Sequence, residues 1–321
     1  MLRQTLACRS AREFTSLFSH HHIETTVFDK LSLAVSSALG AFNDPMRADL
    51  VACLGEVTGR EALIAMHKQM SADSEGRRVL DDRPLIREEE IRLDRLRELP
   101  RGTLGREYVR FLDTFGYHPH ERDPVKYVDD ENLAYVMTRY RQLHDFAHVA
   151  FSLNTSVECE VALKAIEMTQ TKLPMTVLST FVGAFTAPVV RQEPIDSSTN
   201  APQGETTAAG PSSRGQPSEP SQPSTSPAST TSSSSSEAAS SPLEVPLRPA
   251  EGLKYQKREV FYPRRILLNE LLPWAFDAAR KVKRPLHLVY VEKWLDRPLD
   301  ELRHECGITL PPPSLQRYTS Y

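Results

Sequence analysis

Asp129–Leu173 reads DDENLAYVMTRYRQLHDFAHVAFSLNTSVECEVALKAIEMTQTKL, and this stretch decides the fold. Asp129 and Asp130 suit a helix N-terminus, where a side-chain oxygen can take an orphan backbone N–H and negative charge meets the positive end of the helix dipole. Leu133, Val136 and Tyr140 then mark one apolar face. The predicted helix delivers His144, Asp145 and His148. At about 100° per residue, His148 lies roughly 40° round from His144 and Asp145 roughly 100° round, so the three share one arc. Thr155 and Glu158 have the spacing of a capping box and announce a second helix through Val161, Ala165 and Met168, with Glu160 in its second turn. If the chain reverses over Ser152–Thr155, His148 and Glu160 each fall roughly 6–8 Å from the bend and face each other. The spacing therefore predicts a helix hairpin in which His144, Asp145, His148 and Glu160 converge on a divalent metal, zinc first, with iron, manganese or cobalt as alternatives. The competing reading is a buried polar network without an ion.

The pattern narrows the chemistry without fixing it. In an HExxH metalloprotease the residue after the first His is the general base, and Asp145 is one methylene shorter. An HD-type phosphohydrolase would need a separate upstream His, for which His118 and His120 in a Pro-rich turn are weak candidates. Four protein ligands describe a closed structural site, whereas an Asp145 outside the ligand set would leave a coordination position open.

Outward from the hairpin the chain still reads as helical. Thr26–Leu39 places Phe28, Leu31, Val35 and Leu39 at helical steps, Pro45 opens a second amphipathic stretch through Leu50, Leu54 and Val57, and Glu61–Met70 continues the pattern. Arg83–Pro84 and Pro100–Gly102 are breaks, and Tyr108, Leu112 and Phe115 form another apolar face. Leu286–Val291 reads as a short strand or a buried helical turn. The longest run without a charge, the 18 residues Leu173–Val190, holds Pro174 and Pro188 and predicts a helix too short to span a bilayer. Leu267–Ala279 is a further apolar stretch, read as core first and membrane contact second.

The 321 residues carry 39 Lys+Arg against 42 Asp+Glu, so bulk charge gives no support to nucleic-acid binding. Cys8, Cys53, Cys159 and Cys306 form no CxxC pair and encode neither a zinc ribbon nor a disulfide framework. Residues 1–25 contain Arg3, Arg9 and Arg12, apolar residues between them and only Glu13 and Glu24 as acids, the composition of a mitochondrial presequence. From Gln192 to Ala250 the chain holds 16 Ser, 10 Pro and no aromatic residue, which predicts a disordered insert. The expected organisation is a mainly α single domain, residues 26–191 and 251–321, interrupted by that insert.

At these residues the chain closely resembles the family of mitochondrial ubiquinone (coenzyme Q) biosynthesis proteins that is fourth in the Coq series. The family motif, HDxxH followed by eleven residues and Glu, is matched by His144, Asp145, His148 and Glu160. The likeness extends to DPMRADLVACLGEVTG at Asp44–Gly59, LGREYVRFLD at Leu104–Asp113, ELLPWAF at Glu270–Phe276 and YVEKW at Tyr290–Trp294. It implies a helical protein, peripheral on the matrix side of the mitochondrial inner membrane, in a multi-enzyme ubiquinone assembly, with room for a homodimer. It also implies a carbon–carbon lyase that removes the C1 carboxyl of a 4-hydroxy-3-methoxy-5-polyprenylbenzoate, or alternatively a non-catalytic scaffold that holds lipid and partner enzymes. Two features depart from the family pattern: the Ser/Pro insert, and Cys159, a soft competing ligand beside Glu160.

Overall fold

The computed structural model describes residues 2–43, 47–119, 123–189, 191–194, 258–261 and 263–321. The chain runs through α1 (Leu2–His21), α2 (Val27–Asn43), α3 (Ala48–Thr58), α4 (Arg60–Ala72), α5 (Ser74–Asp82), α6 (Glu88–Ile91), α7 (Leu93–Arg97) and α8 (Leu104–Phe115). The long central helix α9 (Glu131–Phe151) follows, then α10 (Val157–Thr171) and α11 (Pro174–Thr186). After the strands β1 (Arg191–Pro194) and β2 (Arg258–Phe261) come α12 (Pro263–Ile266), a π-helical turn Leu267–Leu271, α13 (Leu272–Lys281), α14 (Leu299–Cys306) and α15 (Pro313–Thr319). The fold is mainly α, as the periodicity predicts.

Met1–Arg191 and Val260–Tyr321 group as one unit and Gln192–Glu259 as another. The two strands pair as a two-stranded sheet. Sequence alternation gives no sign of them, because RQEP and REVF are too short to show a period of two. Beyond Pro194 the expected insert, up to Ala250, lies outside the described residues. Leu286–Val291 is not a strand: it makes the 3-10 turns Leu286–Leu288 and Val291–Lys293, because Pro285 and the closely spaced turn bonds leave no extended run to pair.

Local chemistry sets the helix ends that matter for the hairpin. Asp130 caps α9 by accepting from the Leu133 N–H at 3.0 Å, and Asp129 instead pairs with Lys30. The cap of α10 is Ser156, not the expected Thr155, since the Ser156 hydroxyl accepts from the Cys159 N–H and the helix starts at Val157. Between them the left-handed Ser152 ends α9, and Arg303 donates to the Ala150 and Val149 carbonyls and the Ser152 hydroxyl at 2.8, 3.0 and 2.7 Å. A cation at a helix C-terminus satisfies orphan carbonyls and complements the dipole. Gly183 lets α11 press on α10, because a Cβ there would sit 2.3 Å from Val161 Cγ2. The π turn ends two residues before Pro273, whose missing N–H would break a regular ladder.

α1, expected as part of a presequence, packs on the body in this structure. Phe14 is 4% exposed and meets the Tyr135 ring edge-on at 5.1 Å, Glu13 pairs with Arg87, and the Ser10 hydroxyl donates to the Arg83 carbonyl at 2.7 Å. α2 does the reverse of what its periodicity suggests. Its small residues Ser37 and Ala41 are buried, while Val27, Phe28, Leu31, Val35, Leu39 and Phe42 are all more than half exposed. α11 adds exposed Phe181 and Phe185. Among the described residues no helix is long and apolar enough to cross a membrane.

Candidate metal centre

His144 and His148, one turn apart on α9, and Glu160, near the start of α10, turn their donor atoms to one point, all within 4.8 Å of one another. His144 Nε2 and His148 Nε2 are 3.3 Å apart; Glu160 Oε2 lies 3.3 Å from the former and Oε1 3.0 Å from the latter. Tetrahedral donors at about 2.0–2.1 Å from an ion are separated by about 3.3 Å. The three separations therefore fit one coordination sphere.

The far side of each ring fixes its tautomer. His148 Nδ1 lies 3.2 Å from the Leu153 carbonyl, which can only accept, and His144 Nδ1 lies 2.7 Å from the Glu167 carboxylate. Both Nδ1 atoms thus carry hydrogen, and the two Nε2 lone pairs point at each other. Two facing lone pairs beside a carboxylate call for a cation, so the donor set fits a divalent metal. His148 is buried and stacks on Phe111 at 5.3 Å, whereas the Glu160 side chain is 36% exposed, which leaves one side of the cluster accessible.

The surrounding carboxylates favour positive charge at the cluster. Burial and Lys164 oppose protonation of His144, but Glu167 and Glu160 outweigh them and raise its pKa. Burial opposes ionisation of Glu160, yet His148 and His144 hold its carboxyl well below the usual range. Glu167, also buried, is held low by Lys164 and His144.

Asp145 stands apart. It is 6% exposed on the neighbouring arc of α9, and its carboxylate is not part of the convergent group. Cys159 is not a competing ligand here: its thiol approaches the Tyr318 carbonyl at 3.8 Å and burial pushes its pKa up to about 12. His118 is exposed away from the cluster, and His120 lies outside the described residues. Sequence reasoning missed Glu167, Lys164 and Tyr140, which surround the far side of His144. Their signal was present: Glu160, Lys164 and Glu167 recur at four- and three-residue steps on one face of α10, and Tyr140 precedes His144 by one turn. A cavity of about 390 Å³ lies between α1 and α9, walled by Phe14, Leu17, Phe18 and Leu85 with Thr138 and Arg141.

The family model for the coenzyme Q (ubiquinone) biosynthesis protein Coq4 matches residues 19–198 and 254–312. The chain belongs to the Coq4 family. A Coq4 homologue of Cryptosporidium parvum, described as a mitochondrial ubiquinone biosynthesis protein, is 32% identical over 319 residues, 99% of this chain and 95% of that one. The human mitochondrial Coq4 homologue is 33% identical over 297 residues, 92% of this chain and 84% of its own. The crystal structure of a Nostoc punctiforme protein assigned to ubiquinone biosynthesis superposes with a TM-score of 0.51 at 15% identity, covering 86% of this chain and 97% of that one. At that identity the likeness speaks for the fold, and the Coq4 fold accounts for the helical body.

Proposed function

We propose that this Coq4 protein acts in ubiquinone biosynthesis as a metal-dependent lyase that removes the C1 carboxyl of a 4-hydroxy-3-methoxy-5-polyprenylbenzoate. The observation that carries the reading is the cluster of three donors, two imidazoles and one carboxylate, with an accessible side. A site built for chemistry keeps a coordination position open, and this set leaves one. His144, His148 and Glu160 would hold the ion, with Asp145 completing the motif from the adjacent arc of α9. A bound divalent cation would supply a Lewis acid for an anionic oxygen of the substrate. Two neutral imidazoles and one carboxylate leave it net positive, which suits a carboxylate or phenolate. The buried rings of His148 and Phe111 fix the inner wall, and the cavity between α1 and α9, whose wall mixes apolar side chains with Arg87, Asp123 and Arg141, offers room in the range of ligand pockets for part of the polyprenyl chain.

The exposed apolar faces of α2 and α11 favour a second role beside the first: peripheral contact with the matrix face of the inner membrane and organisation of partner enzymes. The test is turnover. Metal-loaded protein incubated with a short-prenyl 4-hydroxy-3-methoxybenzoate, with and without oxygen, should lose the C1 carboxyl. Absence of product from folded, metal-replete protein, with full rescue of ubiquinone synthesis in cells by a Glu160→Gln variant, would leave the scaffold role alone.

A further inference from the structure

Glu167 lies seven residues after Glu160, hence roughly 20° from it around α10 and about 10 Å further along the axis. One helix thus presents a carboxylate to each end of the His144 ring: Glu160 to Nε2 and Glu167 to Nδ1. Glu167 Oε1 is 2.7 Å from Nδ1, while Oε2 accepts from Lys164 Nζ at 2.7 Å and from the Tyr140 hydroxyl at 2.6 Å. The side chain is buried, and its two oxygens carry three charge-assisted or hydroxyl bonds. Lys164 Nζ also stands 3.3 Å from His144 Nδ1. An ammonium can only donate. With Glu167 in place the carboxylate takes the Nδ1 hydrogen; without it, Lys164 would present a hydrogen to Nδ1 and drive the ring proton to Nε2, the atom aimed at the centre.

We propose that Glu167 is the positioning residue of the centre: it keeps His144 in the Nδ1–H tautomer against Lys164 and so leaves Nε2 free to bind an ion. Lys164 balances the Glu167 charge, and Tyr140 fixes the plane of its carboxylate. The proposal rests on the reading of this cluster as a metal centre and names the residue on which that centre's affinity depends.

The test uses the full chain, stripped of metal by chelator, in wild type, Glu167→Ala, Glu167→Gln and the double variant Glu167→Ala/Lys164→Met. Thermal melts confirm folding, zinc is titrated against a competing chelator, and imidazole ¹⁵N shifts report the tautomer. Glu167→Ala should weaken zinc binding about 10–100-fold and move the His144 proton to Nε2. Glu167→Gln, whose carbonyl oxygen still accepts, should keep the wild-type tautomer, and the double variant should regain most of the lost affinity. Wild-type affinity and tautomer in Glu167→Ala, or no recovery in the double variant, overturns the proposal. If wild type binds no zinc while the tautomer still shifts, the metal reading falls and the positioning of the ring by Glu167 stands.

Discussion

Arg139 Nη1 and Nη2 lie 2.5 and 2.8 Å from the two carboxylate oxygens of Glu292, 153 residues further along the chain. Arg139 is fully buried in the middle of α9, so this pair ties the helix that carries His144 and His148 to the segment that follows the Ser/Pro-rich stretch. Removing one partner strands a charge in the interior. Glu292→Ala should therefore cost about 3–5 kcal/mol in urea unfolding. Arg139→Met combined with Glu292→Leu should recover much of that loss. Equal destabilisation by the single and double changes would contradict the pairing.

Phe14 gives the N-terminal helix a structural weight that its composition hides. Truncating this buried ring against Tyr135 should cost about 3 kcal/mol, the lower end for a core Phe→Ala change. Truncation of the exposed Ser16 on the same helix, Ser16→Ala, should cost nothing measurable. Thermal melts of the full chain decide it, and an unchanged midpoint for Phe14→Ala would show that α1 does not stay docked.

Deletion across the Ser/Pro-rich stretch should be tolerated. Because β1 and β2 are hydrogen-bonded neighbours of only four residues each, a short Gly/Ser linker can join residue 194 to residue 258, with a favourable loop-closure change of about 2 kcal/mol. Replacement of residues 195–257 should not lower the melting midpoint. A loss of several kcal/mol would show that the stretch packs on the helical body.

His287 predicts an acid limb in stability. It is buried beside Gln69 Oε1 at 3.0 Å, and burial lowers its pKa from 6.5 to about 4. Between those values the unfolded chain binds more protons than the folded one, so this contribution is full above pH 6.5 and is lost as pH falls toward 4. The loss should reach roughly 2 kcal/mol by pH 5. His287→Gln should flatten the fall between pH 7 and pH 5, and a parallel pH profile for the two proteins would contradict it.

The hairpin was legible because its information is local: cap, apolar step, His-x-x-x-His, turn, cap, Glu. The one-residue shift of the cap from Thr155 to Ser156 left Glu160 in the first turn and still opposite His148. What the sequence could not show was pairing at a distance. Glu292 stands in a short 3-10 turn with no pattern that names Arg139, and Glu167 reads as an ordinary helical acid until His144 is placed beside it. Periodicity located the apolar stripe of α2 but not its direction, since a stripe facing the core and one facing outward have the same spacing.

Whether His144, His148 and Glu160 together hold one divalent ion is decided by metal analysis of purified wild type, His148→Ala and Glu160→Gln, each checked for folding. Wild type should hold about one equivalent and both variants far less, because each removes one of three donors that lie 3.0–3.3 Å apart. Metal content unchanged in both folded variants would contradict it.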